Sequence, residues 1–104
     1  MAHEILIVDD EPDIRMLIEG ILEDEGYAVR QAADSDSAIA AFRLRRPSLV
    51  ILDIWLQGSR LDGLGILNAI HSEEPHVPVV MISGHGTIET AVAAIQHGAY
   101  DFIE

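Results

Sequence analysis

At 104 residues, 49% of them apolar, the chain is long enough for one compact core and too short for two domains of ordinary size. It has no cysteine, which removes disulfides, thiolate metal sites and a thiol nucleophile from consideration. Six arginines and no lysine stand against eighteen acidic residues, and the resulting formal net charge of −12 excludes this segment as a binder of a polyanionic duplex.

The N-terminus, Met1-Ala2-His3-Glu4, places no basic segment ahead of an apolar stretch. No apolar run approaches the roughly 20 residues that span a bilayer, so a cytoplasmic protein without membrane contact is expected. Glu4-Ile5-Leu6-Ile7-Val8 is a short, β-branched apolar run that breaks into Asp9-Asp10-Glu11-Pro12, the pattern of a buried strand entering a loop. From Pro12 to Glu25, Ile14, Leu17, Ile18, Ile21 and Leu22 recur at helical spacing, with Gly26 as a stop. An amphipathic helix packed on the strand is predicted.

Tyr27 to Gln31 reads as an edge strand, and Ser35 opens a second helix that carries Ala38, Ile39, Ala41 and Phe42 inward. Arg43, Arg45 and Arg46 suit its last turn, where the helix dipole favours cations, and Pro47 ends it. Ser48 to Leu52 is apolar without alternation, as in a central parallel strand covered on both faces, and it stops at Asp53. A polar loop from Gln57 to Arg60 leads to Asp62-Gly63, the start of a third helix with Leu64, Leu67 and Ile70 inward. Val77 to Ile82 forms a fourth strand. Ser83-Gly84-His85-Gly86 then turns into a fourth helix capped by Thr87 and closed at Gly98, and Tyr100 to Ile103 is a fifth strand.

Strands alternating with helices imply right-handed crossovers and an open, doubly wound parallel sheet in a single α/β domain. Ligands of such sheets sit at the carboxyl ends of the strands, which here are Asp9 and Asp10, Asp53, and Ser83. Acids crowded together there repel one another unless a hard cation lies between them, and an all-oxygen set suits Mg²⁺. A carboxylate beside Mg²⁺ can act as a nucleophile toward phosphorus. The competing view is that these acids are helix caps or solvated loop residues, which is ordinary for one of them but not for three acids and a hydroxyl at strand ends.

Ile7-Val8-Asp9-Asp10-Glu11, Leu52-Asp53, Asp62-Gly63, Met81-Ile82-Ser83-Gly84 and Gly98-Ala99-Tyr100-Asp101-Phe102 together resemble the receiver domains of response regulators, in order along the whole chain. That resemblance implies a flavodoxin-like, CheY-like five-stranded parallel sheet of order 2-1-3-4-5. It implies Asp53 as phosphoacceptor, Asp10, Asp53 and the backbone carbonyl of Trp55 as Mg²⁺ ligands, and Asp9 acting through a metal-bound water. It also implies Ser83 as a hydrogen-bond donor to the phosphoryl group and Phe102 as the aromatic switch residue, with plain core packing the other reading of Phe102.

Within the family, Leu52 to Gly63 and Ser83 to Val92 resemble the NtrX type of nitrogen regulator. The partners so implied are a sensor histidine kinase and, in a longer protein, an AAA+ domain acting on the nitrogen-type sigma factor and a helix-turn-helix DNA-binding domain. Residues 1–104 would then be the receiver, cut after its fifth strand with the last helix missing. The loop after Asp53 is about two residues longer than the family's usual one and lacks its proline. The family's lysine, expected just past Glu104, is also outside the chain. Slow phosphorylation and self-association into a homodimer through an uncovered apolar face are the corresponding expectations.

Other classes fit less well. A haloacid-dehalogenase-like phosphatase needs a second Asp two positions after its nucleophile, where this chain has Trp55. A nucleotide-binding domain needs a glycine-rich loop after the first strand, where Asp9 to Pro12 stand instead. Asp34 and Asp36 read as caps, and the histidines show no zinc-binding spacing. A receiver-fold interaction module that does not switch by phosphorylation is the alternative from another class.

Overall fold

A computed structural model of the chain describes residues 3–56, 58–83 and 88–103. The first apolar run forms β1 (Glu4–Val8), and Pro12, at the first helical position, opens α1 (Pro12–Asp24). Gly26 closes that helix in the left-handed region, at φ 92°. There follow β2 (Ala28–Ala32), α2 (Ser35–Leu44), β3 (Leu49–Asp53), α3 (Gly63–Glu73), β4 (Val79–Ile82), α4 (Ile88–Gln96) and β5 (Asp101–Ile103). All pairs are parallel, in the order β2-β1-β3-β4-β5. The expected doubly wound sheet is therefore the one observed, with its order reversing between β1 and β3.

Several boundaries differ from expectation for local reasons. The Tyr27 N–H donates to the Leu22 carbonyl at 3.1 Å, so Tyr27 belongs to the helix-ending turn and β2 begins one residue later. Asp53 is the last residue of β3, in register with Ile82, rather than the first residue beyond it. The Val77 N–H is drawn to the Glu74 carbonyl at 3.2 Å and Pro78 has no N–H to give, so β4 starts at Val79. The predicted Thr87 cap lies outside the described residues.

One face of the sheet presents Leu6, Val8, Val50, Leu52, Val79 and Met81 to Ala38 and Phe42 of α2, to Ile66, Leu67 and Ile70 of α3, and to Ala94 of α4. Leu64, expected inward, is only half-buried, and Ile66 takes the enclosed position instead. On the other face α1 lies against β1 and β2. There the expected apolar stripe divides: Ile14, Ile18 and Leu22 are half-buried, whereas Leu17 and Ile21 are 60% and 57% exposed. Helical spacing gives the apolar face of a helix but not the width of surface available to cover it.

Arg30 ties this framework together at the end opposite the acids. Its guanidinium donates to the carbonyl of Ala41 at 2.6 Å and to that of Arg45, capping the C-terminus of α2. Its Nε lies 2.8 Å from Glu4 Oε1 but without the alignment of a hydrogen bond. Glu4 also accepts from Arg45, and chiefly that bond holds its carboxyl below the usual carboxylate range. Arg30→Ala is expected to cost about 2 kcal/mol, because it removes two charge-assisted hydrogen bonds to the C-terminus of α2, although the Ala41 carbonyl keeps the Arg45 N–H at 3.3 Å. The change should be read as a lower urea midpoint with an unchanged slope.

Candidate functional site

Each predicted acid is carried to the same rim by the end of a strand. The Asp9 N–H extends the β1–β2 ladder by one bond, to the Ala32 carbonyl at 3.1 Å. The Asp9 side chain then accepts the Glu11 N–H at 2.9 Å, which turns the chain toward Pro12. Asp9 is buried and Asp10 half-buried beside it. Asp53, half-buried at the end of β3, is held by the pairing of β3 with β4 and by the Ile54 N–H, which donates to Ile82 at 3.1 Å. One carboxylate oxygen from each of Asp9, Asp10 and Asp53 lies within 4.8 Å of the other two. Among the described residues this is the one cluster of three or more potential metal-ligating His, Cys, Asp or Glu side chains.

The electrostatics follow from that crowding. Burial pushes the Asp53 carboxyl up to about 6, against the Trp55 N–H that donates to Oδ1 at 3.2 Å, with the charges of Asp9, Asp10 and Glu11 pushing the same way as burial. Asp9 is raised too, chiefly by burial, and the Glu11 N–H opposes the rise. Arg15 donates to the Asp9 backbone carbonyl at 2.7 Å and lowers the Asp9 carboxyl only in part. A set of hard oxygens whose mutual repulsion is incompletely relieved by the protein fits an alkaline-earth cation better than zinc.

Ser83 is buried one residue beyond β4, and its N–H donates to the Ile103 carbonyl of the neighbouring strand at 3.0 Å. Phe102 stands in register with Met81, half-buried and packed against the core. Thus the structure brings Asp9, Asp10 and Asp53 together, sets Trp55 on Asp53 through its backbone, and leaves Phe102 two strands from Asp53 and three from Asp9 and Asp10.

Two features at the rim were not anticipated. Gly63 brings the start of α3 onto the backbone of Asp53 and Ile54, with its N–H donating to the Ile54 carbonyl at 3.2 Å. Ser35, read as a helix opener, is completely buried against the loop that follows β3. The Asp62-Gly63 pair was a signal for the first, whereas no local pattern announces a contact between residues 24 apart.

A parallel sheet of this order with three aspartates converging at its switch point defines a receiver, and the chain belongs to the response regulator receiver domain family, which it matches over residues 5–104. Within that family it is of the NtrX type. It is 71% identical, over all 104 residues, to the nitrogen assimilation regulatory protein NtrX of Azorhizobium caulinodans, of which it covers 23%. It superposes on the crystal structure of NtrX from Brucella abortus with a TM-score of 0.95 at 66% identity, covering 100% of this chain and 24% of that one. Against the crystal structure of the receiver domain of NtrX from Brucella abortus, the TM-score is 0.92 at 67% identity, covering 96% of this chain and 83% of that one. The chain therefore spans about a quarter of the length of the full NtrX proteins it matches.

Proposed function

We propose that this chain is a phosphorylation-dependent signal receiver of a two-component system, taking a phosphoryl group from a sensor histidine kinase onto Asp53. The observation that carries the reading is the convergence of Asp9, Asp10 and Asp53 within 4.8 Å at the end of the central strands. Asp10 and Asp53, with the Trp55 carbonyl, would hold Mg²⁺, and Asp9 would act through a bound water. When bound, the cation would offset the negative charge of the acids and of the incoming phosphoryl group.

The chain's own residues do the rest. The Trp55 N–H engages Oδ1 of Asp53, and Oδ2 would be the oxygen that attacks phosphorus. As the new oxygen–phosphorus bond forms, the bond from phosphorus to the donor's imidazole nitrogen breaks, and the product is an acyl phosphate. Asp53 modifies only itself, so the protein is a substrate of the transfer rather than an enzyme with turnover. The Ser83 hydroxyl is the donor for a phosphoryl oxygen, and Phe102, on the strand whose Ile103 carbonyl accepts from Ser83, is the residue whose packing reports the change.

Residues 1–104 would serve as the receiver of a longer cytoplasmic transcription regulator carrying AAA+ and helix-turn-helix domains. Among the described residues no helix is long and apolar enough to cross a membrane.

Incubation with acetyl phosphate and Mg²⁺ is expected to add one phosphoryl group by intact mass, with a change in Trp55 fluorescence. Asp53→Asn is expected to abolish the mass increase. Phosphoryl uptake by that variant, or none by the wild type with Mg²⁺ present, would overturn the assignment, and the latter would favour a receiver-fold module that binds partners without switching.

A further inference from the structure

The loop between β3 and α3 runs from Ile54 to Asp62, and the fixed placement of residues 58–61 needs an explanation because holding loop backbone in one conformation is entropically costly. The first turn of α2 supplies it. The Ser35 N–H donates to Ser59 Oγ at 2.8 Å, and Ser35 Oγ accepts the Leu61 N–H at 3.1 Å. Between them, Arg60 Nε lies 3.0 Å from Asp36 Oδ1. Three consecutive loop residues are thus tied to three groups at one helix end.

Ser35 is not needed there as a cap. Asp34 already accepts the Ser37 N–H at 2.8 Å, and Ser37 Oγ reaches back to the Asp34 N–H, a complete capping box. An alanine at position 35 would serve the helix equally well. A fully buried hydroxyl is costly unless it is satisfied, and the partner of this one is the loop. The same loop begins with the Trp55 N–H bonded to the Asp53 carboxylate.

We propose that Ser35 is a positioning residue: by anchoring Ser59 and Leu61 to α2 it fixes the loop backbone at Trp55 against Asp53, and so sets the affinity of the acid cluster for Mg²⁺. This rests on the reading of the cluster as a Mg²⁺-dependent acceptor. A backbone carbonyl can serve as a ligand only where its peptide is already held in place, because otherwise binding must order the loop at the expense of affinity.

The test is calorimetric Mg²⁺ titration of the metal-free protein, beside hydrogen exchange of the loop amides without metal. Ser35→Ala is expected to weaken Mg²⁺ about tenfold or more, the usual effect of removing a support behind a ligand, and to speed exchange at Leu61 and Trp55. Ser37→Ala, which damages the cap of the same helix without touching the loop, is expected to leave both unchanged. If Ser35→Ala does not fold, Ser59→Ala decides by the same two readouts, since it removes only the acceptor of the Ser35 N–H. Wild-type affinity in a folded Ser35→Ala, or an equal loss in Ser37→Ala, overturns the positioning role while leaving the Mg²⁺ reading intact. A wild-type protein that takes up no Mg²⁺ overturns both.

Discussion

Gly63→Ala is expected to destabilise the protein by about 3 kcal/mol or more, at the upper end of what overpacking costs. A Cβ at that position would run into the carbonyl oxygen of Asp53 and come within 2.5 Å of Ile54 Cα and 2.9 Å of the Ile54 carbonyl oxygen. Every atom it meets is backbone, so no side chain can rotate away. Relief requires α3 to lift off β3, or residues 53 and 54 to shift, and either displaces the acceptor aspartate. The same substitution at Gly20, on α1, meets nothing within 4 Å and should stabilise by roughly 0.5–1 kcal/mol through helix propensity. Thermal melts of the two variants should therefore move in opposite directions, with Gly63→Ala lower by roughly 12 °C or more for a domain of this size. A Gly63→Ala protein that melts with the wild type would mean that the helix start does not bear on the acceptor strand as described.

Much of this site was legible because the fold places its chemistry where apolar runs stop. Ile7-Val8 giving way to Asp9-Asp10, and Ile51-Leu52 to Asp53, mark strand ends by composition alone, and in a parallel sheet all such ends face one rim. The strand shifts of one or two residues came from turns that periodicity does not encode, as when Tyr27 bonds back to Leu22 or Pro78 delays β4. The exposure of Leu17 and Ile21 was illegible for another reason: an apolar stripe shows what a helix can bury and not what lies opposite it. Ser35 shows a third limit. A serine at a helix start reads as a helix opener, and although Asp34 was read as a cap, only the folded chain reveals that Ser37 completes its capping box while Ser35 faces Ser59 and Leu61. The same holds for Gly63, whose place after Asp62 suggests a helix entrance but not a backbone in van der Waals contact beneath it.

Free of metal, the protein is expected to gain stability from Asp53 as the pH is lowered, and Asp53→Asn is expected to remove that gain. The Asp53 carboxyl is raised from 3.8 to about 6 in the folded chain, so between those values the native state holds more proton than the unfolded one. Its contribution is thus fully present below 3.8 and is lost as the pH rises through 6. A shift of roughly two units corresponds to about 3 kcal/mol, which partial exposure to solvent reduces to about 1–2 kcal/mol. Asp9, raised in the same direction, adds to the trend, whereas Glu4, held low by Arg45, opposes it by losing stability as the pH falls. The wild type minus Asp53→Asn difference cancels Glu4 and isolates the acceptor. Near pH 7.5 the metal-free variant should be the more stable protein by about 1–2 kcal/mol, and the advantage should shrink as the pH approaches 4. Mg²⁺ should reverse the order near neutrality, since a ligand at a hundred times its dissociation constant adds about 2.7 kcal/mol to the protein that binds it. Denaturant titrations at both pH values, with Mg²⁺ or with a chelator, give all four comparisons. If Asp53→Asn lowered the metal-free stability at neutral pH, or if Mg²⁺ stabilised the variant as much as the wild type, the acid cluster would be a set of solvated caps rather than a strained cation site.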